Sequence, residues 1–264
     1  MGIHPTAVVD PGARVGAGVI IGPFAVVEAG TDIGDGCEIR AHAVVKRFTR
    51  MGRENVLHEG AVVGGEPQDV SFRGVPSELH IGDRNVIREG VTIHRGTEPG
   101  SATVVGSDCF LMACSHVAHN DRLGDGVILA NAVLLGGYVD VGERAFLSGG
   151  VGVHQFCRVG RLAMSGGNSR IIMDALPFVN TTGFPGRAVG LNVVGLRRAG
   201  FDASALRVLK QAYRILLRSK LPLATALDQM AALADPLVDE MIAFIRGSKR
   251  GFHRSARATE ASSE

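Results

Sequence analysis

Tryptophan is absent, tyrosine occurs only twice, and aromatic residues make up 5% of the 264-residue chain. A core of this size therefore cannot rest on stacked rings and must be assembled from Val, Ile, Leu and Ala. Cysteine is sparse, with four residues (Cys37, Cys109, Cys114, Cys157) and no C-x-x-C pair. That spacing argues against a zinc ribbon or a dithiol redox motif and fits buried thiols in a reducing compartment. No apolar run approaches the ~20 residues a membrane-spanning helix needs. The first ten residues, MGIHPTAVVD, lack the basic and apolar regions of a secretory signal. The expectation is a soluble cytoplasmic protein. A net charge of +2 makes no demand for a nucleic-acid partner.

What the chain does have is glycine, 36 residues without a collagen triplet, and a strict internal period. Counting every sixth residue from Ile3 to Ile171, 26 of 29 positions are Ile, Val, Leu or Met, and the exceptions are Asp69, Pro99 and Ser165. A helix of 3.6 residues per turn drifts out of such a register, and simple strand alternation does not select it. Four residues after each aliphatic comes a second, mostly small column, including Ala25, Cys37, Ala43, Cys109, Val127 and Cys157. The residue directly after the aliphatic is often Gly, as at Gly22, Gly106, Gly124 and Gly142, where glycine would permit corner dihedrals that a Cβ penalises. Each hexad thus reads as a short strand with two inward residues, then a turn.

These hexads resemble those of the bacterial hexapeptide-repeat transferases. The resemblance implies a mainly β fold, a left-handed parallel β-helix of triangular section with 18 residues per coil and about ten coils. Two stretches leave the period, 66–78 (EPQDVSFRGVPSE) and 97–101 (TEPGS), and read as loops projecting from the prism. The β-helix is expected over residues 1–185 and a small helical domain over 186–264, with 176–200 irregular. Asp202 or Ser204 can cap a helix whose apolar face holds Leu206, Leu209, Tyr213, Leu216 and Leu217. Leu223–Leu233 and Leu237–Ile245 predict two more helices, the last opened by Pro236, and the final ten residues read as disordered.

An 18-residue coil places residue i + 18 above residue i, so His119, Gly137 and Gln155 share one column. His116 and His119 both flank the inward Val117 and face outward. Tyr138 stands above Asn120, and His154 above Gly136. An imidazole is the usual general base near neutral pH. A glycine one coil away offers a bare backbone N–H to a developing oxyanion. No Ser or Cys nucleophile with a supporting acid is evident, so direct attack by a substrate hydroxyl is the simpler chemistry.

Longer motifs narrow the resemblance. TIHRGT at 92–97, the His-Val-Ala-His segment at 116–119, VHQFC at 153–157, GLRRAGF at 195–201 and the RGF at 250–252 resemble the acyl-carrier-protein–UDP-N-acetylglucosamine O-acyltransferase family, which begins lipid A synthesis. The likeness covers nearly the whole chain. It implies His119 as general base toward the sugar 3-hydroxyl and Gly137 as oxyanion donor. It implies Asp69, His116, His154 and Gln155 as substrate contacts, Asn192 and Arg198 at the UDP moiety, and Gly167 at the floor of an acyl groove, where glycine leaves room for a longer hydroxyacyl chain. It also implies a homotrimer with the site between neighbouring prisms, acyl carrier protein as thioester donor, no other cofactor and no metal.

Several positions depart from that family's pattern. Ser71 stands where Lys is usual, Tyr138 where His is usual, Asn120 where Asp is usual, and Val194 and Ala199 replace polar residues near the nucleotide. An acceptor bearing a 3-amine instead of a 3-hydroxyl stays open on that account. A related N-acyltransferase generally adds an N-terminal uridine-binding domain, for which hexads starting at Ile3 leave no room. A zinc lyase on the same fold would need three converging histidines, and His94 stands at a different phase from His116 and His119. A structural scaffold without activity is the remaining reading. The basic run Arg207, Lys210, Arg214 and Arg218 recurs at helical spacing and suits docking of an acidic carrier protein.

Overall fold

In the computed structural model, which describes residues 2–254, the chain forms three parallel sheets of short strands followed by four helices. The expected disorder of the last ten residues lies outside the described residues. Successive strands go to successive sheets, so each coil contributes one strand to each face of a triangular prism. Most strands are two residues long, and the second residue of nearly every one is the inward aliphatic, as in Ile20–Ile21, Val44–Val45 and Phe110–Leu111. Ile21, Ile39, Leu57, Ile87, Leu111, Leu129 and Leu147 stack in one column of the core. The small second column, Val19, Cys37, Cys109, Val127 and Ala145 among its members, fills the space beside it. The stack lets each backbone N–H reach a carbonyl one coil away, as from Ile128 to Ala145 and from His116 to Val133.

Strand partners are 18 residues apart along most of the prism, as for Phe110 and Ile128. The step is 30 where residues 66–78 leave the prism, pairing Val56 with Val86, and 24 beside residues 97–101, pairing Ile93 with Val117. Both excursions add whole multiples of six, so the hexad phase survives them. Val75 matches the count by coincidence: it lies in the loop, and Leu79 and Ile81 are the inward residues of the next strand.

The glycines after the aliphatic have a different cause from the one their position suggests. Most of them lack a positive φ. A Cβ on Gly124 would lie 2.7 Å from the Glu143 amide nitrogen, so glycine is required because adjacent coils approach closely at the corner. The left-handed dihedral falls two residues later in the hexad and is carried mostly by side-chain-bearing residues, including Asn120 and Tyr138, each at φ 62°. Three of the four free cysteines are buried, whereas Cys114 is exposed.

The stretch 176–200 is ordered. Val179–Thr182 joins the first sheet in parallel, then turns back on Arg187–Leu191 as an antiparallel strand. The anticipated boundary at 185/186 falls in this turn. A short helix α1 follows over Val193–Arg198, then α2 over Ala203–Arg218, α3 over Leu223–Ala231 and α4 over Pro236–Arg246. Asp202 caps α2 by accepting the Ala205 N–H at 2.8 Å, and Asp235 caps α4 through Leu237 at 2.9 Å. The helices cover the last coil with a second apolar cluster of Leu162, Phe178, Leu196, Leu209, Met230 and Met241. This lid answers the need to close an open stack of strands. Arg161 pins it to the prism through Glu240 at 2.7 Å. Among the described residues, no helix is long and apolar enough to cross a membrane.

Candidate active site

The corner after Val117 brings together residues from three coils. His119 sits in the turn between the strands His116–Val117 and Arg122–Leu123. Its carbonyl accepts the Tyr138 N–H at 3.1 Å, and the Gly137 carbonyl accepts the Phe156 N–H at 3.1 Å. The 119–137–155 column is therefore real. A Cβ on Gly137 would lie 2.6 Å from Nε2 and 3.0 Å from Nδ1 of His119, so any larger residue there would have to displace the imidazole. Among the described residues no acceptor meets the Gly137 N–H.

His119 faces outward, yet its side chain is only 12% exposed. Three groups cover it. The Tyr138 ring meets it edge-on at 5.3 Å and stacks in turn on Phe156 at 4.9 Å. Asp69 reaches over from the 66–78 loop, with Oδ2 3.9 Å from Nε2. Asn120 Oδ1 lies 3.1 Å from Nδ1. Asp69 is held by Ser71, whose backbone N–H and hydroxyl both donate to Oδ1 at 2.8 Å. Those two hydrogen bonds, more than the nearby His119, keep the Asp69 carboxyl below its ordinary range. Ser71 thus supplies no cation but fixes the carboxylate.

His116 lies one strand over, with Nδ1 2.7 Å from Thr92 Oγ1. Its ring meets His94 edge-on at 5.0 Å, so His94 joins this cluster although its position in the hexad count sets it apart. Burial, helped by His94 and His119, pushes the His116 pKa down to about 4. His94 is lowered as well, chiefly by burial. Both imidazoles are therefore neutral at pH 7 and act as uncharged hydrogen-bonding groups. His154 and Gln155 are exposed at the rim, with His154 Nδ1 3.0 Å from the Gln155 carbonyl.

Register alone could not reveal the residues that hold the 66–78 loop. Arg95, only 2% exposed, lies between the rings of Phe48 and Phe72 at 5.3 and 5.2 Å and reaches Glu66 at 3.2 Å. Phe72 belongs to the loop that carries Asp69. A guanidinium clasped by two rings and an acid fastens that loop to the prism. Arg95 and Thr97 both lie in the TIHRGT motif, which is the only sequence signal they gave.

The other anticipated residues lie elsewhere. Gly167 is exposed on the next coil, where a Cβ would come 3.6 Å from the Gly149 carbonyl. Asn192 is buried and committed at both ends: Nδ2 donates to the Leu162 carbonyl and Oδ1 accepts the Gly195 N–H, both at 3.0 Å. Arg198 is exposed at the end of α1. Arg207, Lys210, Arg214 and Arg218 are all exposed along α2, opposite its buried face of Leu206, Leu209, Ala212 and Tyr213. Among the described residues, the group of potential metal ligands that converges is His58, Glu59 and Glu89, away from His119. Arg40 Nη1 lies 3.0 Å from His58, and Arg88 pairs with Glu89 at 2.9 Å, so two cations already occupy its surroundings.

The cluster can remove a proton at His119 and stabilise an oxyanion at Gly137. Burial pushes the Cys109 and Cys157 thiols up to about 11, which leaves neither as a ready thiolate. Gly137→Ala is expected to lower kcat at least about 10²-fold, with a smaller change in KM, because the added methyl displaces the imidazole from the donor it must face. Steady-state kinetics on a variant with unchanged circular dichroism would check this, and a wild-type kcat would remove Gly137 from the site.

Comparison with known proteins identifies the family. Residues 174–253 match the family described as UDP N-acetylglucosamine O-acyltransferase, domain 2, and residues 12–47 match the bacterial transferase hexapeptide repeat. The chain is 48% identical over 257 residues to an acyl-[acyl-carrier-protein]–UDP-N-acetylglucosamine O-acyltransferase of Anaeromyxobacter sp. (strain Fw109-5), covering 96% of this chain and 100% of that one. It is 47% identical over 259 residues to the enzyme of the same name from Burkholderia orbicola (strain MC0-3), covering 96% and 99%. Among solved structures, the UDP-N-acetylglucosamine acyltransferase of Bacteroides fragilis superposes with a TM-score of 0.93 at 38% identity, over 95% of this chain and 99% of that one. With likeness of this depth running through both the hexad prism and the helical lid, the chain belongs to the acyl-carrier-protein–UDP-N-acetylglucosamine O-acyltransferase family.

Proposed function

We propose that this chain moves a 3-hydroxyacyl group from acyl carrier protein to the 3-hydroxyl of UDP-N-acetylglucosamine, the step that opens lipid A biosynthesis, in the cytoplasm. The observation that carries the reading is the seat of His119 against Gly137, too close for any Cβ. In this reading His119 takes the proton of the sugar hydroxyl as its oxygen attacks the thioester carbonyl. The new C–O bond forms, and the negative charge that develops on the carbonyl oxygen meets the Gly137 N–H. The C–S bond then breaks, and the leaving thiolate receives the proton from His119. Asp69, His116, His154 and Gln155 line the sugar side. Asn192 serves the nucleotide by shaping the start of α1, and Arg198 offers it a cation. The open face at Gly167 favours a long acyl chain.

The outward residues favour the trimer. One sheet carries a ladder of charge on its outer face, with Arg14 paired to Asp32 at 2.6 Å and Arg50 to Glu78 at 2.8 Å. The other two present apolar columns outward, Val56, Val86, Phe110, Ile128 and Phe146 on one, and Val26, Val44 and Val62 on the other. Continuous apolar faces of that kind suit burial against further copies of the chain.

Mass spectrometry of the product made from UDP-N-acetylglucosamine and a mixed pool of acyl carrier proteins tests the reading. The expected product is an O-linked ester bearing one preferred chain length. An amide formed only from a 3-amino sugar would replace the acceptor, and no product from either sugar would overturn the reading. The α2 stripe has its own test. Charge reversal at Arg207 and Arg214 is expected to raise KM for the carrier protein about tenfold at low salt, with little change in kcat. An unchanged KM would make the stripe an ordinary solvated face.

A further inference from the structure

We propose that Asn120 and Thr97 form a positioning pair that sets the tautomer of His119, and that Tyr138 locks the pair in place. The inference rests on the proposed acyl transfer for its kinetic consequences but not for its geometry. Asn120 Oδ1 lies 3.1 Å from the Thr97 backbone nitrogen, 2.8 Å from Thr97 Oγ1 and 3.1 Å from His119 Nδ1. A backbone N–H can only donate. The side-chain atom of Asn120 that faces it is therefore the oxygen, and the amide cannot be flipped without setting donor against donor. An oxygen facing Nδ1 accepts from it, so Nδ1 carries the proton. That leaves the lone pair on Nε2, the nitrogen nearer to the place a Gly137 Cβ would occupy and the one that Asp69 faces.

The remaining hydrogen bonds take a fixed sense. Thr97 Oγ1 donates to Asn120, so its other contact, Tyr138 OH at 2.9 Å, is the donor to Thr97. The chain runs Tyr138 to Thr97 to Asn120, where it meets His119. The Asn120 backbone is fixed too, since its N–H donates to Oγ1 of Thr103, in the strand that follows the 97–101 loop, at 2.7 Å. Asn120 takes the left-handed φ of 62° that the corner demands, which asparagine tolerates better than most residues. Thr97 opens the 97–101 loop, so this loop is wired to the base.

An amide acceptor orients the imidazole without adding a negative charge beside it. The other ionisable groups facing His119 are Asp69 from the 66–78 loop, His116 from the preceding strand, His94 from the adjoining coil, and Tyr138 from the coil above. Only Asp69 among them is anionic near neutral pH. Asn120→Asp would place a second carboxylate against the ring and favour the imidazolium.

Selective 15N labelling of histidine in the wild-type protein tests the tautomer without substrate, in the assembly as it forms in solution. The expected spectrum shows His119 protonated at Nδ1 above its pKa, assigned by comparison with His119→Gln. An Nε2-protonated ring would overturn the inference while leaving acyl transfer untouched. Kinetics give the second arm. Asn120→Asp is expected to move the acid limb of the kcat/KM profile up by roughly one pH unit. Thr97→Val is expected to lower kcat about tenfold or more with KM for the nucleotide sugar changed less than threefold, and Thr97→Ser to restore it. An unmoved acid limb together with full activity of Thr97→Val would overturn the pair's role. Failure of the wild-type protein to acylate UDP-N-acetylglucosamine would instead strike the proposed function, with the tautomer result still standing.

Discussion

Replacing His119 by alanine is expected to reduce kcat by about 10²- to 10⁴-fold, the range for loss of a general base, with the fold intact. The two halves of that expectation come from different parts of the geometry. The ring projects from a corner of the prism, so its removal takes nothing from the inward columns that hold the coils together. Thermal unfolding should shift modestly, because the lost contacts are one hydrogen bond at 3.1 Å, worth about 1 kcal/mol, and the edge-on packing against Tyr138. The chemical loss is large because nothing nearby can substitute. His116 is within the cluster, but its lone pair is weakened by burial, with a pKa of about 4. Asp69 is 3.9 Å away, and its basicity is lowered by two hydrogen bonds from Ser71. His119→Gln likewise offers no base, so it should be as inactive as alanine. Turnover within tenfold of wild type in both variants would remove the general-base role.

The period of six was legible because the prism repeats one physical requirement, an inward aliphatic at nearly every strand. It stayed legible across two loops because both insertions are multiples of six, as the pairings of Val56 with Val86 and Ile93 with Val117 show. The His119–Gly137 column followed from register alone for the same reason. What register could not reach are contacts made by chain that leaves the prism. Thr97, Arg95 and Phe72 touch the site's supports only because the loops fold back, and no count along the sequence encodes that return. The hairpin at 179–191 and helix α1 were hidden differently. Pro177, Pro185 and several glycines there read as punctuation, whereas the strands are set by pairing with the last coil and α1 by the Asn192 cap. The glycines at the corners were recognised as necessary but assigned to φ, when the close approach of the next coil is the cause.

Asp121, four residues after Val117, puts an acid in the small inward column, and the structure gives it a purpose. It is fully buried, and its two oxygens accept the N–H of Ala118 at 2.9 Å and of Val139 at 2.8 Å. One bond fixes the residue before His119, and the other the residue after Tyr138. Burial outweighs these hydrogen bonds and, with a smaller push from Asp140, raises the carboxyl pKa well above its ordinary value. A carboxyl with a raised folded pKa contributes most below its unfolded value near 4, and its contribution falls as pH climbs through the folded pKa. Asp121→Leu leaves two buried N–H groups without acceptors, at a cost of about 1–3 kcal/mol each. That corresponds to a fall in Tm of roughly 4–24 °C in a chain of this length. The deficit relative to wild type should be largest below the unfolded value near 4 and shrink as pH rises through the raised folded pKa, as the wild-type carboxyl is forced to ionise in an apolar core. Scanning calorimetry of both proteins across that range checks it. A deficit that grows with pH would mean the carboxylate is stabilised, with its pKa lowered. Because the same two hydrogen bonds set the approach of His119 to Tyr138, kcat should fall as well, even at temperatures where the variant remains folded.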